Sequence, residues 1–204
     1  MKIGVFGGTF NPIHCAHLRL ACKCREQLGL DTVLIIPTAV PPHKNAPQLA
    51  SGEDRLAMCR LAVTGESAFV VSDLEIRRTG KSYTAETLRE LEALYPGAEL
   101  YLLMGGDMFL TVQSWKSPEE IYARAVLCAL ARHRDEYPRL ERHKLFLTAR
   151  GAHCRVLALP PEPMSSTEVR CRISRGEDIR GLVPAAVEDY IIAHGLYAPN
   201  GHNC

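Results

Sequence analysis

The sequence lacks both a charge imbalance and a long apolar run. Among 204 residues, 24 Lys and Arg stand against 23 Asp and Glu, which leaves a net charge of +1. A protein that binds nucleic acid usually presents a strongly basic face. Apolar stretches such as 126–131 fall far short of the roughly 20 residues that a membrane-spanning helix needs, and the first residues do not form a signal peptide. We therefore expect a cytoplasmic protein with no nucleic-acid partner and no membrane partner.

The cysteines lack the spacing of a metal site. There are 8 of them, but no Cys-x-x-Cys pair occurs, and this excludes the common zinc arrangements. In a reducing compartment, scattered thiols behave as small apolar side chains. We assign them no chemistry.

Segments typical of strands and helices alternate along the chain, which predicts an α/β layered fold. Residues 2–6 form a short apolar run, 16–28 carry apolar residues at helical spacing, and 32–37 form an apolar run of the kind found in buried parallel strands. Further strands are predicted at 69–72, 99–104, 125–130 and 155–159. Further helices are predicted at 53–64, 84–95, 117–122, 136–149, 167–175 and 184–194.

The chain contains no internal repeat, low-complexity segment or Gly/Ser linker that would divide it. A length of 204 residues favours about one domain. The proline-rich segment 160–163 is the one soft boundary. We therefore expect a single domain over 1–204, with an α/β core at 1–160 and a helical part at 161–204.

A glycine pair and a histidine pair follow the first predicted strand. Gly7 and Gly8 would let backbone amides approach an anion, and the N-terminus of the next helix favours negative charge. Neither the Gly-Lys-Ser/Thr of a Walker A loop nor the third glycine of a dinucleotide fingerprint follows. His14 and His17 are three residues apart at a helix start and share a face. Taken alone, such a pair is more often one capping and one core histidine.

The preceding residues change the interpretation of that pair. Gly-Gly-Thr-Phe-Asn-Pro-Ile-His-Cys-Ala-His at 7–17 resembles the signature of the His-x-Gly-His nucleotidylyltransferases, specifically the bacterial nicotinate-nucleotide adenylyltransferases. Ala16 stands where that family has glycine. The resemblance continues in order through Pro41-Pro42-His43-Lys44, Ser82-Tyr83-Thr84, Gly105-Gly106-Asp107 with Trp115-Lys116, Ser165-Ser166-Thr167-Glu168-Val169-Arg170, and an ending at Gly195-Leu196-Tyr197.

This resemblance implies a Rossmann-like, doubly wound parallel sheet with a small C-terminal helical appendage. It implies transfer of AMP from ATP to nicotinate mononucleotide, forming deamido-NAD and pyrophosphate in NAD biosynthesis without a covalent intermediate. Positioning and charge neutralisation would then supply the catalysis. Mg²⁺ would accompany ATP, held largely by phosphate and water. The implied partners are ATP and nicotinate mononucleotide, and a homodimer is one assembly to test.

The resemblance also implies three groups of site residues and no protein metal site. The catalytic group is His14, His17, Lys44 and Arg170. The ATP-binding group is Gly7, Gly8, Thr9, Phe10, His17, Gly105, Asp107, Ser166, Thr167 and Arg170. The group that binds the nicotinate nucleotide is Thr9, Phe10, Lys44, Tyr83, Thr84, Trp115 and Arg132.

Several alternatives stay open at this point. Lys44 could be a solvated surface charge, Ser166 and Thr167 an ordinary helix cap, and Trp115 a core residue. Another transferase of the superfamily, acting on phosphopantetheine or with a cytidyl nucleotide, would share the histidine motif. A nucleotide-binding regulator without turnover is the alternative from another class of protein, and Ala16 is the one residue that hints at it.

Overall fold

A computed structural model of the chain describes residues 1–39, 49–131, 135–158 and 164–198. Lys44 and Arg132, both expected in the site, lie outside the described residues. The strands are β1 (Lys2–Gly8), β2 (Thr32–Pro37), β3 (Phe69–Val71), β4 (Glu99–Gly105), β5 (Ala125–Ala131) and β6 (Cys154–Ala158). The helices of the described residues are α1 (Cys15–Leu28), α2 (Gly52–Ala62), α3 (Leu74–Arg77), α4 (Thr84–Leu94), α5 (Gly106–Phe109), α6 (Pro118–Arg124), α7 (Glu136–Thr148), α8 (Ser166–Ser174) and α9 (Ala185–Ala193).

The six strands form one parallel sheet in the order β3-β2-β1-β4-β5-β6. The chain builds the sheet outward from β1 through β2 to β3, and then crosses over to add β4, β5 and β6 on the other side. This is the doubly wound, Rossmann-like arrangement that the resemblance implied. Ligands of such sheets bind beyond the carboxyl ends of the strands, at the point where the winding reverses. Here that point lies between β1 and β4.

The two central strands part at this carboxyl edge. Pairing between β1 and β4 ends at Val5↔Leu102, although β1 runs on to Gly8 and β4 to Gly105. Each strand remains paired with its outer neighbour, through Gly8↔Pro37 and Gly105↔Leu130. The separation opens a crevice between the two strand ends.

Side chains that alternate along the strands form two apolar clusters, one on each face of the sheet. Ile3 and Val5 belong to the first cluster, whereas Phe6 belongs to the second. The second cluster also contains side chains of the C-terminal part, among them Val169 and Val187. The C-terminal helices therefore pack on the sheet face that also carries α1.

Local signals explain where the helices near the crevice begin and end. α1 ends before Gly29, which has φ 62° and whose N–H bonds to the last turn of the helix, as is common at helix C-termini. The Ser51 hydroxyl accepts a hydrogen bond of 3.0 Å from the Asp54 N–H at the start of α2, satisfying one of the otherwise unbonded N–H groups there.

The predicted elements are present, with small differences at their ends. The first strand runs two residues beyond its predicted end at 6, because Gly7 and Gly8 continue the pairing with Ile36 and Pro37. Two short helices, α3 and α5, and the 3₁₀ turn Val112–Ser114 were not predicted. Elements of three or four residues are too short to show a hydrophobic period.

None of the described cysteines forms a disulfide. Cys24, Cys59, Cys128 and Cys154 are buried apolar side chains, and burial raises the pKa of the Cys24 and Cys59 thiols to about 12. The expectation that they serve as small apolar residues is met at these positions. Across the ranges that the structure covers, no helix is long and apolar enough to span a membrane.

Candidate active site

The turn from β1 to α1 is shaped by Gly8 and Phe10. A Cβ on Gly8 would lie 2.9 Å from the Phe10 ring, whereas one on Gly7 would meet no atom within 4 Å. Phe10 is buried and has φ 46°, in the left-handed region that non-glycine residues rarely adopt. Close packing of the Phe10 ring therefore excludes a side chain at position 8, while Gly7 and the half-buried Thr9 border the surface.

His14 and His17 lie side by side at the start of α1. His14 is the N-cap and is only 4% exposed, while His17 is half-buried. The two rings stack with centroids 3.7 Å apart and planes at 23°. The Phe10 ring packs edge-on against His17, with centroids 5.1 Å apart. The structure thus brings together the two histidines expected to share one phosphate.

The backbone of α1 fixes the tautomer of His17. The His14 N–H donates to His17 Nδ1 at 3.3 Å. Because an accepting ring nitrogen carries no proton, this bond places the proton of the neutral ring on Nε2. His17 thereby presents Nε2–H as a donor, which suits a phosphoryl oxygen.

Residues of α8 hold the same turn from the other side. Ser166 Oγ donates to the Pro12 carbonyl at 2.9 Å, and Arg170 Nη1 donates to the Asn11 carbonyl at 2.8 Å. The exposed Thr167 hydroxyl accepts a bond of 3.3 Å from Arg170 Nη2. The Gly-Gly-Thr-Phe-Asn-Pro segment and the Ser-Ser-Thr-x-x-Arg motif therefore meet, although the bonded residues lie more than 150 positions apart.

The Asn11 side chain links this turn to two further segments. Its Oδ1 accepts bonds from the Tyr197 hydroxyl at 2.7 Å and from the Ala50 N–H at 3.0 Å. Asn11 and Tyr197 are both buried. The C-terminal end of the described chain thus contacts the turn that carries the histidines.

Gly105 and Asp107 lie on the opposite side of the crevice. Gly105 ends β4 and caps α5, and Asp107 is exposed in that helix. A Cβ on Gly106 would come within 3.3 Å of the Leu140 side chain. A side chain at position 106 would therefore require the Leu140 side chain to shift by a few tenths of an ångström.

The two segments expected to bind the nicotinate nucleotide contact each other. Tyr83 is the N-cap of α4 and Thr84 its first residue. Lys116 Nζ lies 4.0 Å from the centre of the Tyr83 ring and 2.8 Å from Glu86 Oε1. Trp115 is half-buried and packs against the first apolar cluster. The Trp115 ring therefore lies partly in the core and is partly accessible to solvent.

Glu75, which sequence reasoning missed, is a buried carboxylate beneath this segment. It is 7% exposed and accepts a bond of 2.7 Å from Thr87 Oγ1. Burial raises the pKa of Glu75, and Thr87, Ser82, Arg78 and Thr38 partly offset that rise. Thr38 directly follows β2, so Glu75 links the Tyr83 segment to the carboxyl edge of the sheet.

Arg55, also missed, is the largest fully buried side chain among the described residues and belongs to α2. It contacts the carbonyl of Thr9 inside the histidine-bearing turn. The signal in the sequence was faint, because an arginine in an amphipathic helix is normally exposed. Only the packing of α2 against the turn reveals it.

Cys15 lies between the two histidines in the sequence, but its thiol is a poor candidate for a metal ligand. Within the described ranges no group of three or more His, Cys, Asp or Glu side chains is arranged to hold a metal ion. Burial also raises the pKa of the Cys15 thiol, with Arg19 lowering it in part, which disfavours the thiolate that would bind a metal.

Comparison with known proteins matches residues 5–172 to the family described as cytidylyltransferase-like. The chain is 40% identical to a probable nicotinate-nucleotide adenylyltransferase of Trichlorobacter lovleyi, covering 98% of this chain and 100% of the relative. It is 44% identical to a protein of the same description from Thermus thermophilus, with coverages of 97% and 100%.

Solved structures share the fold. A Plasmodium falciparum nicotinic acid mononucleotide adenylyltransferase complexed with NaAD superposes with a TM-score of 0.76 at 20% identity, covering 96% of this chain and 97% of the other. A putative nicotinate-nucleotide adenylyltransferase from Vibrio parahaemolyticus gives 0.67 at 22% identity, with coverages of 96% and 94%. Both agree with the doubly wound sheet described above.

Proposed function

Since this chain belongs to the cytidylyltransferase-like family and, within it, to the nicotinate-nucleotide adenylyltransferases, we propose that it transfers AMP from ATP to nicotinate mononucleotide. The products are deamido-NAD and pyrophosphate. The observation that carries the proposal is the stacked His14–His17 pair, with His17 packed against Phe10, in the turn that follows β1 where β1 and β4 part. The relatives at 40% and 44% identity, matched along their whole length, support the same acceptor.

The reaction is a single displacement at phosphorus. A 5′-phosphate oxygen of the mononucleotide forms a bond to the α-phosphorus of ATP, while the bond from that phosphorus to the oxygen bridging to the β-phosphate breaks. Pyrophosphate leaves with that oxygen and the electron pair. Nothing in this exchange needs a covalent enzyme intermediate. The protein has to align the two nucleotides and stabilise the growing charge.

The residues of the turn suit these tasks. The Nε2–H of His17 is a donor for an α-phosphoryl oxygen, and His14 lies stacked beside it. The N-terminus of α1 adds a favourable dipole for an anion. The amides of Thr9 and Phe10 complete a phosphate cradle next to Gly7 and Gly8.

Arg170 and the start of α8 serve the leaving pyrophosphate in this proposal. Ser166 and Arg170 already contact the carbonyls of the turn, so the helix is held where its side chains border the same crevice. Thr167 is exposed and able to bind phosphate. Gly105 and Asp107 border the crevice from the β4 side and are assigned to ATP.

For the acceptor, we assign Trp115 to stacking on the nicotinate ring and Tyr83 and Thr84 to its carboxylate. The contact of Lys116 with Tyr83 supports a joint binding surface for these segments. Lys44 and Arg132 complete the assignment as predictions from the family resemblance.

Mg²⁺ fits this site as an ion carried by ATP. Asp107 offers one exposed carboxylate at the strand edge, and the described residues contain no cluster of three ligands. An ion that keeps several waters and binds mainly to phosphate needs no more than that. When bound, it supplies charge neutralisation on the phosphoryl oxygens. In keeping with the use of ATP, we place the protein in the cytoplasm.

Pyrophosphate release in the presence of ATP tests the proposal. Purified protein is incubated with nicotinate mononucleotide, its amide counterpart or phosphopantetheine, and the CTP-dependent alternative is run in parallel. We expect release with nicotinate mononucleotide and slower release with the amide. If neither pyridine mononucleotide gave pyrophosphate release, the proposal would be refuted. Activity with another acceptor alone would indicate a different transferase of the wider superfamily. Sedimentation of the same preparation tests for a homodimer.

A further inference from the structure

Arg55 makes a set of contacts that is unusual for a charged side chain. It is fully buried, yet the hydrogen bonds that the described residues provide are all to backbone carbonyls. Nη1 donates to Thr9 O at 2.8 Å and to Thr38 O at 2.6 Å. Nε donates to Ala50 O at 3.1 Å, and Nη2 donates to Ala39 O at 3.0 Å.

Burying a guanidinium in this position lowers the stability of the fold, so stability by itself does not explain why an arginine stands here. Removing a charge from water is unfavourable, and burial lowers the pKa of Arg55 accordingly. An apolar side chain of similar volume would fill the same space without that penalty, as replacements of buried ion pairs illustrate. What the apolar side chain could not do is donate to four carbonyl groups at once, for which the rigid donor fork of arginine is suited.

The four carbonyls belong to three pieces of backbone around the site. Thr38 and Ala39 follow β2, and Ala50 lies just before α2, so the contacts flank the segment 40–48 that contains Lys44. Thr9 lies in the turn between Gly8 and His14. One side chain thus ties the histidine-bearing turn to both flanks of the lysine-bearing segment.

The bond to Thr9 has a direct consequence for the adjacent amide. The Thr9 C=O and the Phe10 N–H belong to one trans peptide, and in such a planar unit the two groups point in opposite directions. Holding the carbonyl toward Arg55 therefore directs the Phe10 N–H away from it. Phe10 also has φ 46°, a conformation that surrounding contacts must maintain.

We propose that Arg55 is a positioning residue for adenylyl transfer, which acts by fixing the Thr9–Phe10 peptide so that the Phe10 N–H faces the transferred phosphate. Its bonds to Ala39 and Ala50 fix the flanks of the Lys44 segment against the same turn. This role rests on the proposed function, since it concerns the phosphate cradle of that reaction. Arg55 itself contacts neither nucleotide.

The test compares Arg55→Met, Arg55→Lys and a control on the same helix, Arg60→Met. Arg60 is 57% exposed at its side chain and lies 3.7 Å from Asp73, a surface pair of small energetic effect. For each protein we would measure kcat, the KM of both substrates, ATP binding by calorimetry, and the unfolding temperature. Kinetics are taken well below the lowest unfolding temperature.

We expect Arg55→Met to lower kcat by about 10²-fold, the usual effect of losing or misplacing one preorganised donor. ATP binding should weaken by about tenfold. Arg55→Lys, with a compact ammonium that cannot serve all four carbonyls, should recover only part of both losses. Arg60→Met should match the wild type.

A folded Arg55→Met with unchanged kcat and ATP affinity would overturn the proposal, even if its unfolding temperature fell. If that variant does not fold, Arg55→Lys decides alone, and kcat within twofold of the wild type would overturn the proposal. Failure of both variants to fold would assign Arg55 to stability and would also overturn it. Absence of turnover in the wild type would refute the proposed function, while the ATP affinities would still test Arg55.

Discussion

His14 and His17 differ in their surroundings although their rings stack. His14 is buried at the N-cap of α1, while His17 is half-buried and has its tautomer set by the His14 N–H. Loss of the His14 ring would therefore disturb the start of the helix as well as the site. His17 is the better position at which to test the chemistry.

Replacing His17 by alanine should abolish most turnover and leave the fold intact. We expect kcat to fall by about 10² to 10³-fold, as when one donor to a reacting oxygen is removed. Pyrophosphate release measures the loss, and circular dichroism checks the fold. The control is His194→Ala, because that exposed histidine stacks on Tyr190 at the far end of α9. A nucleotide-binding regulator would show no turnover to lose in the wild type.

Ala16 replaces the glycine of the family signature, and its burial indicates how little this changes the site. Only 1% of Ala16 is exposed, so its methyl group is covered by protein and a nucleotide cannot rest on it. Reverting it by Ala16→Gly should leave the KM of ATP within about twofold. The variant should lose about 0.5–1 kcal/mol of stability, because glycine loses more conformational freedom on folding than alanine does. Substrate titrations and urea unfolding measure the two effects, and a KM change of tenfold would contradict this view.

At the scale of the element, the short helix α3 carries a buried carboxylate. Its four residues carry Glu75 beneath the start of α4, where Thr87 Oγ1 donates to it at 2.7 Å. The same hydroxyl lies 3.4 Å from the Tyr83 carbonyl. Glu75 therefore holds the N-terminal turn of α4, which carries the residues assigned to the acceptor.

The raised pKa of Glu75 makes the stability of the folded protein depend on pH, and the direction of that dependence can be predicted. Because burial raises its pKa above the ordinary 4.5, the folded protein binds a proton more tightly than the unfolded chain. Stability is therefore lost as pH rises from that ordinary value through the folded pKa. Glu75→Gln removes this loss while keeping an acceptor for Thr87.

We expect the stability of Glu75→Gln relative to the wild type to increase across that pH range. Urea unfolding at a series of pH values measures the difference. The exposed Glu66, replaced by glutamine, is the control for exchanging a carboxylate for an amide. A pH-independent difference in stability for Glu75→Gln would contradict the burial argument.

At the scale of the whole molecule, the C-terminal helices share an apolar cluster with the sheet. Val169, Val187 and Ile191 are buried together with Phe6 and Val33 of the central strands. The Tyr197 hydroxyl adds a bond to Asn11 across 186 positions of the sequence. These contacts support our proposal that 1–204 form one domain, in which the C-terminal part is held by the core.

If the chain is one domain, unfolding should be a single cooperative transition. Tyr197→Phe leaves the ring but removes a buried hydrogen bond worth about 1–2 kcal/mol, so the whole transition should move down by about 2–8 °C. Differential scanning calorimetry measures it, with the partly exposed Tyr137→Phe as control. Two separate transitions, of which only one moves, would contradict the single domain.

The sequence alone determined the order of the elements and the family. Apolar runs such as Thr32–Pro37 indicate burial on both faces of a sheet, and Gly-Gly-Thr-Phe-Asn-Pro with His14 and His17 indicates the family and predicts a phosphate-binding turn. These patterns are formed by residues close together in the chain, so they can be recognised in the sequence without the tertiary structure. The two missed helices, α3 and α5, are too short to leave such a pattern.

Only the tertiary structure decided which distant groups support that turn. The bonds of Arg55 to Thr9, of Tyr197 to Asn11, and of Thr87 to Glu75 join elements whose spacing in the sequence carries no period. Nothing local distinguishes the buried Arg55 from the exposed Arg60 of the same helix. Burial of a charge and the choice of its partners are properties of packing, and packing exists only once the sheet and its two layers of helices have come together.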